Sequence, residues 1–345
     1  MKPRVTIVGG GLAGASLACA LETLDLDITV LEAKPLEQND QPSFDERTIA
    51  LTFSSRRVLE GIGVWPAIEA EAGAIHRIHI SNRGHAGFAR LDRDLIGTDA
   101  LGYVVPTRIL GRALTERLRQ SPRIDYRCPA EVNQIDSDTG KLSTHIDVSG
   151  ERISSSLVVL ADGGRSPLAD AAGLKVMEKT YNEEALVGIV GVDRDQDGTA
   201  YERFTRHGPL ALLPLDRRRF AVAWTLPTEQ SREMLALPKD SFLEALQDTF
   251  GDRAGFFHRC GRLQVYPLRR TEVDNPVGER LVALGNAAHI VHPVAGQGFN
   301  LGLRDVAHLA DRRVRRLATG AARVVAPPRN ADGRRQRRLP RHRAA

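Results

Sequence analysis

Arg4-Val-Thr-Ile-Val8, Gly9-Gly-Gly-Leu-Ala-Gly14, Ala15-Ser-Leu-Ala-Cys-Ala-Leu21 and Ile28-Thr-Val-Leu-Glu32 read in order as strand, glycine turn, helix, then strand ending in an acid. Gly9 lets the chain leave the strand sharply, Gly11 lets a pyrophosphate approach the backbone, and Gly14 lets helix and strand pack closely. The helix start, with Leu12 and Ala13 in its first turn, offers unpaired N–H groups and the positive end of a dipole to a phosphate. Glu32 follows Gly14 by eighteen residues, where an acid accepts hydrogen bonds from an adenosine ribose. An acid there disfavours a 2′-phosphate, so the spacing predicts FAD or NAD rather than NADP.

Two further stretches place a polar residue and glycine at the end of a buried strand. Residues 153–160 become almost wholly apolar after Ser156, as a strand covered on both faces requires, and lead into Ala161-Asp-Gly-Gly-Arg-Ser-Pro167. Asp162 and Gly163 thus stand where open α/β sheets make their ligand contacts. The third stretch is Arg280-Leu-Val-Ala-Leu-Gly-Asn-Ala-Ala-His289, then His292-Pro-Val-Ala-Gly-Gln-Gly-Phe-Asn-Leu-Gly302. Gly285 and Asn286 end its strand, and a glycine-rich turn opens a helix carrying Leu301, Leu303, Val306 and Leu309.

Between these lie a helix with Val58, Leu59 and Ile62 stopped by Gly63, and another with Ile109, Leu110, Leu114 and Leu118 closed by Pro122. Residues 186–192, 200–204, 211–215 and 220–225 read as strands of a mainly antiparallel sheet, in which Phe220 and Trp224 belong to the core. Arg217-Arg-Arg219 reads as a solvated hairpin turn, and residues 235–250 as one helix with Leu243 and Leu246 inward. The pattern is α/β at both ends around an antiparallel middle.

With Asp45-Glu-Arg-Thr-Ile-Ala-Leu51 added, these motifs resemble, in kind and order, the class A flavoprotein aromatic hydroxylases, the group that includes para-hydroxybenzoate hydroxylase. Within that group the ubiquinone-biosynthesis hydroxylases resemble the chain most, over residues 4 to about 310. The resemblance implies a Rossmann-like, discontinuous FAD-binding domain (1–75, 106–175 and 273–311) with an inserted, mainly antiparallel β-sheet substrate domain (76–105 and 176–272). It implies that Gly9, Gly11, Gly14 and Glu32 hold the ADP half of FAD, and that Arg47 contacts the ribityl or pyrophosphate region. Asp162 and Gly163 form the second dinucleotide-facing motif. Gly285 with Asn286 stands where the wider group has Gly-Asp at the ribityl, and Pro293, Gly296, Gln297 and Gly298 shape the flavin-ring pocket. A flavin contact is also expected near Thr107-Arg108, with Arg108 the candidate. The implied reaction is hydroxylation of a phenolic ring by O₂ with NAD(P)H as co-substrate, the phenol being a polyprenylated intermediate of ubiquinone biosynthesis. No catalytic base is named, because the flavin carries the hard chemistry.

Bulk properties narrow the classes. The formal charge of +5 misleads: residues 312–345 hold twelve arginines and one acid, Asp332, for +11, while the rest carries 36 basic against 42 acidic side chains, or −6. A mildly acidic body gives no reason to expect nucleic-acid binding, and the basic segment, poor in large apolar residues, reads as a disordered tail. Family members continue with a long helical segment there, so a lost reading frame near Leu309 is a second explanation. The longest apolar stretches, at 13–21 and 281–296, are too short or interrupted to span a membrane, and the first strand begins at residue 4, so a cytoplasmic chain is expected. Contact with the inner membrane or a biosynthetic complex, and a homo-oligomer, are compatible with this reading. Cys19, Cys128 and Cys260 share no short spacing and read as reduced thiols. His289 and His292 lack a companion carboxylate or cysteine in sequence and read as structural, so no metal is expected. Two rival readings stay open: a flavin reductase of isoprenoid double bonds, and a non-catalytic FAD-binding remnant.

Overall fold

The computed structural model describes residues 2–34, 47–137, 144–148, 150–164, 168–291 and 296–311. The basic segment 312–345, Pro293 and the Arg165-Ser166 pair lie outside the described residues.

The opening motif builds the middle of a six-stranded sheet. β1 (Arg4–Val8) lies parallel between β2 (Asp27–Leu31) and β12 (Leu157–Leu160). β8 (Ile124–Arg127) extends the sheet past β2, β20 (Leu281–Ala283) extends it past β12, and β19 (Val277–Gly278) closes it as an antiparallel edge. All four residues of β12 are buried, which accounts for its unbroken apolar sequence. α1 (Leu12–Leu21), α4 (Thr107–Gln120) and α8 (Gly298–Ala310) cover one face, burying Leu17, Leu21, Leu110, Leu118, Leu303 and Val306 in a common core. At the end of α1, Glu22 locks it to α4 by accepting from Ser121 Oγ at 2.6 Å and pairing with the Arg117 guanidinium. Burial alone would push the Glu22 carboxyl up, but these two partners outweigh it and hold the group below the ordinary carboxylate range.

Two three-stranded sheets flank this unit. One joins β3 (Thr48–Thr52), β7 (Gly102–Pro106) and β4 (Gly73–Ile75), with α2 (Phe53–Gly61) leaving β3 through Thr52, whose hydroxyl caps it at Ser55 N (3.2 Å). The other joins β9 (Val132–Ser137), β10 (Thr144–Val148) and β11 (Glu151–Ser155).

The largest sheet has nine strands. Along its path run β21 (His289–Ile290), β18 (Gln264–Val273), β13 (Val176–Val192), β16 (Arg219–Pro227), β15 (Gly208–Pro214), β14 (Thr199–Thr205), β5 (Arg77–Asn82) and β6 (Phe88–Asp92), with β17 (Phe257–Cys260) also on β13. All pairs are antiparallel except β14 with β5. On one face Tyr201, Leu212, Phe220 and Trp224 pack under α7 (Lys239–Phe250), with Phe220 and Trp224 buried as their alternation required. On the other, Ile78, Ala200 and Leu213 meet Ile75 and Val104 of the small sheet. The short helices α3 (Arg93–Ile96), α5 (Leu168–Ala171) and α6 (Thr228–Ala236) complete the fold. It is a mixed α/β architecture in which the six-stranded sheet draws on residues 4–283 and the nine-stranded sheet on 77–290, so the chain passes between them repeatedly.

Three elements differ from the sequence expectation. The run 153–160 is two strands, because the chain changes sheets at Ser156, whose hydroxyl accepts from Arg4 N at 3.3 Å. The helix at 235–250 is two, α6 and α7, separated at Leu237-Pro238, where proline forces the residue before it out of helical geometry. β13 is far longer than 186–192, and a register shift between Thr180 and Glu184 accommodates its length.

Candidate functional site

The three glycine stretches meet at the carboxyl ends of β1, β12 and β20. Gly9, at φ +106°, passes so close to β12 that a Cβ there would stand 2.5 Å from Ala161 O, and a Cβ on Gly14 would strike the Gly9 carbonyl. Gly164 runs against the third motif, 2.5 Å from Asn286 O by the same measure, and Gly285 faces Ala13 at 2.9 Å. Each motif therefore touches the other two, although 152 positions separate Gly9 from Ala161 in sequence.

Around this junction the polar groups are arranged for a ligand with hydroxyl and phosphate groups. Glu32 Oε2 accepts from Gly10 N at 2.7 Å and Oε1 from Lys34 N at 2.9 Å, leaving lone pairs on both oxygens. The backbone at Gly11 is extended and α1 begins at Leu12, so the first-turn N–H groups have no helical carbonyl to reach. Asp162 Oδ1 accepts from Gly164 N at 3.2 Å, whereas Oδ2 is buried with no hydrogen-bond partner among the described residues. A sealed, unsatisfied carboxylate oxygen costs about 1–3 kcal/mol, and a ligand hydroxyl beside Gly163 would satisfy it. The residues present thus fit a dinucleotide: acceptors at both ends and N–H groups between.

The remaining expected residues fall nearby or apart as follows. Arg47 stacks over the Tyr266 ring at 4.7 Å, and its carbonyl accepts from Thr107 N at 2.8 Å, which brings Arg108, exposed on the first turn of α4, beside it. A Cβ on Gly296 would stand 3.5 Å from Ala50 Cβ, Gln297 precedes α8, and Gly298 opens that helix near Val291. Asn286 is exposed while Gly285 is buried. His289 uses both ring nitrogens, facing Gly285 O at 3.1 Å and Asp305 Oδ2 at 3.2 Å, so it ties the strand-end turn to α8. Burial pushes the Asp305 carboxyl up, against the charges of His289, His308 and Arg304. Among the described residues no group of three possible ligands could hold a metal ion.

Two residues escaped the sequence reading. Asn300, 2% exposed, has all four amide positions used: Oδ1 accepts from Thr52 N (3.0 Å) and Ser55 Oγ (2.7 Å), and Nδ2 donates to Ala50 O (2.8 Å) and Gly296 O (3.1 Å). It pins the turn at 296–298 to β3 and the start of α2. Its signal in sequence was a polar side chain three residues before Leu303, on the inward face of α8.

Glu202 is the second. Cross-strand partners share a sheet face, so Glu202 lies in one row with Ile80, Ala211, Ala223, Val187 and Gln264, on the side of the nine-stranded sheet that Tyr266 and Arg47 also occupy. It has no hydrogen bond or ion pair among the described residues, and burial pushes its carboxyl up.

A βαβ unit with a glycine-rich turn, merged with a large antiparallel sheet, is the architecture of the FAD-dependent monooxygenases. The chain belongs to the FAD binding domain family, which matches it over residues 2–323. Ubiquinone hydroxylase UbiL of Rhodospirillum rubrum is 34% identical over 310 residues, covering 90% of this chain and 72% of that one. The 3-demethoxyubiquinol 3-hydroxylase of Escherichia coli is 29% identical over 321 residues, 92% of this chain and 81% of its own. Among solved structures, PqsL, a probable FAD-dependent monooxygenase from Pseudomonas aeruginosa, shares the fold with a TM-score of 0.77 at 22% identity, covering 93% of this chain and 88% of that chain. The protein is an FAD-dependent hydroxylase.

Proposed function

We propose that this hydroxylase acts on the ring of a polyprenylated phenol of the ubiquinone pathway, with NAD(P)H as reductant and O₂ as oxygen donor. Bound FAD supplies the redox chemistry that activates O₂. The chain's own work is to hold the cofactor, keep water away and aim the ring. In this reading Gly9, Gly11, Leu12, Ala13 and Gly14 cradle the pyrophosphate and Glu32 takes the adenosine ribose. Asp162, Gly163, Gly285 and Asn286 meet the ribityl side. Arg47 meets the ribityl or pyrophosphate region, and Arg108, Gly296, Gln297 and Gly298 border the ring. The FAD unit comprises 1–75, 106–175 and 273–311, and the substrate unit 76–105 and 176–272. A prenyl tail dissolves in lipid, so capture takes place at a membrane surface, by a chain whose described residues include no helix long and apolar enough to cross one.

The observation that carries the choice of a phenol is Glu202. It is an unpartnered carboxyl at the edge of a floor of small side chains, Ala211 and Ala223, which leave room for a flat ring. A phenolic O–H donating to Glu202 would satisfy the carboxylate and turn the ring to a fixed edge. The acceptor form grows as pH rises through a window above the ordinary carboxylate range, because burial has moved the group upward. In a steady-state assay of phenol-stimulated NAD(P)H oxidation, kcat/KM of the wild type is therefore expected to rise with pH through that window. Glu202→Gln flattens the profile, and Glu202→Leu lowers kcat/KM about tenfold or more with flavin absorbance unchanged. Variants with wild-type kinetics and pH profile would remove Glu202 from the site.

A further inference from the structure

A second group of polar side chains lies on the opposite face of the nine-stranded sheet, beside α7. There a cavity of about 190 Å³ is lined by Arg77, Arg90 and Arg253 with His79, Tyr201, Thr199 and Asp197. The register explains the gathering: Arg77, His79 and Arg90 share the face of β5 and β6 that continues into Thr199 and Tyr201 of β14.

The cationic groups are unequally matched. Arg77 is consumed by two carboxylates, Asp92 at 2.9 Å and Asp197 at 3.0 Å. Arg90 and Arg253 have no carboxylate partner among the described residues, and the three arginines face two acids, Asp92 and Asp197, a formal +1. Arg90 is held in place, its guanidinium 4.9 Å from the Phe88 ring and its Nε donating to His79 Nδ1 at 3.3 Å. That bond makes Nδ1 the acceptor, so the 3%-exposed His79 is neutral with its proton on Nε2. Burial, then the charges of Arg253, Arg90 and Arg203, hold His79 below its ordinary range and keep it so. Neither His79 Nε2 nor the Tyr201 hydroxyl has a hydrogen-bond partner among the described residues, so two neutral donors accompany two unmatched guanidiniums.

We infer that this cavity binds a phosphate group. A phosphate monoester carries about −1.5 to −2 charges at neutral pH, opposite in sign to the two unmatched guanidiniums, and its oxygens suit guanidinium forks. Sites for whole organic ligands run to roughly 300–1,000 Å³, so a cavity this small takes the phosphate end of a ligand or the free ion rather than a dinucleotide. The source is either a soluble phosphate or the headgroup of an anionic phospholipid. Phe88, 58% exposed at the rim, is placed to enter lipid in the second case.

The test uses the full FAD-loaded chain, with Arg90→Gln and Arg253→Gln as variants; the twelve arginines of 312–345 give both the same background. Inorganic phosphate is titrated calorimetrically at constant ionic strength. Separately, co-sedimentation is compared on vesicles of phosphatidylcholine alone and with phosphatidylglycerol. Phosphate binding weakened about tenfold or more in each variant supports the site with a soluble source. Weak phosphate binding together with phosphatidylglycerol-dependent sedimentation that both variants lose supports it with a lipid source. Variants that match the wild type in both measurements overturn it. Because the flavin spectrum is unaffected in either supporting case, failure here leaves the hydroxylase reading untouched.

Discussion

Replacing Asn300 with leucine is expected to lower stability by about 3–5 kcal/mol and to release FAD before the chain unfolds. The substitution keeps the branching at Cγ but not the polar atoms, and deprives four groups at once: Thr52 N, the Ser55 hydroxyl, and the Ala50 and Gly296 carbonyls. Two of them belong to the start of α2 and one to the glycine turn, so the side chain that bridges the turn and β3 is lost. Asn300→Asp makes the sharper comparison. It retains Oδ1 but sets an oxygen against the carbonyls of Ala50 and Gly296, so it should be nearly as damaging and partly rescued at low pH, where a protonated carboxyl can again donate. Urea titration followed by both flavin fluorescence and circular dichroism checks this. A loss below about 1 kcal/mol in the leucine variant would show that water or a rearranged turn replaces the amide.

The second large effect is expected at Glu32. Arginine there would turn a donor toward Gly10 N and set a cation against the positive end of α1, beside the half-buried Tyr126 ring. FAD affinity should fall roughly ten- to a hundredfold, the weight of charged hydrogen bonds to two ribose hydroxyls, with Glu32→Gln in between. Fluorescence titration of the apoprotein measures it. Equal affinity in all three proteins would move the adenosine elsewhere.

Both residues show what a sequence discloses and what it withholds. The unit from Arg4 to Glu32 was readable because its contacts are local: strand, turn, helix and acid follow one another within 32 residues, and their spacing alone sets the geometry. The other two glycine motifs were readable for the same reason, each as a strand end. That they touch was not, since Gly164 meets Asn286 only through the order β1, β12, β20 in the sheet. Asn300 binds partners 245 to 250 positions away, beyond any window of pattern reading. The run at 153–160 looked continuous because hydrophobic alternation does not record which sheet a strand joins. Pro238, by contrast, was a legible break in what read as one helix. Glu202 and the cavity at His79 needed the register of β14 with β5 to declare their faces, and a shift of one residue would exchange them.

The proposed reaction sets a phenolic ring against a flavin and delivers one atom of O₂ to it. The most direct measurement is the mass of the product formed from a prenylated phenol with NAD(P)H and isotopically labelled O₂. A phenol-dependent burst of NAD(P)H consumption and a product carrying a single labelled oxygen on the ring are expected. NAD(P)H consumption independent of the phenol that ends only in hydrogen peroxide, or a product with a reduced prenyl double bond and no label, would contradict it.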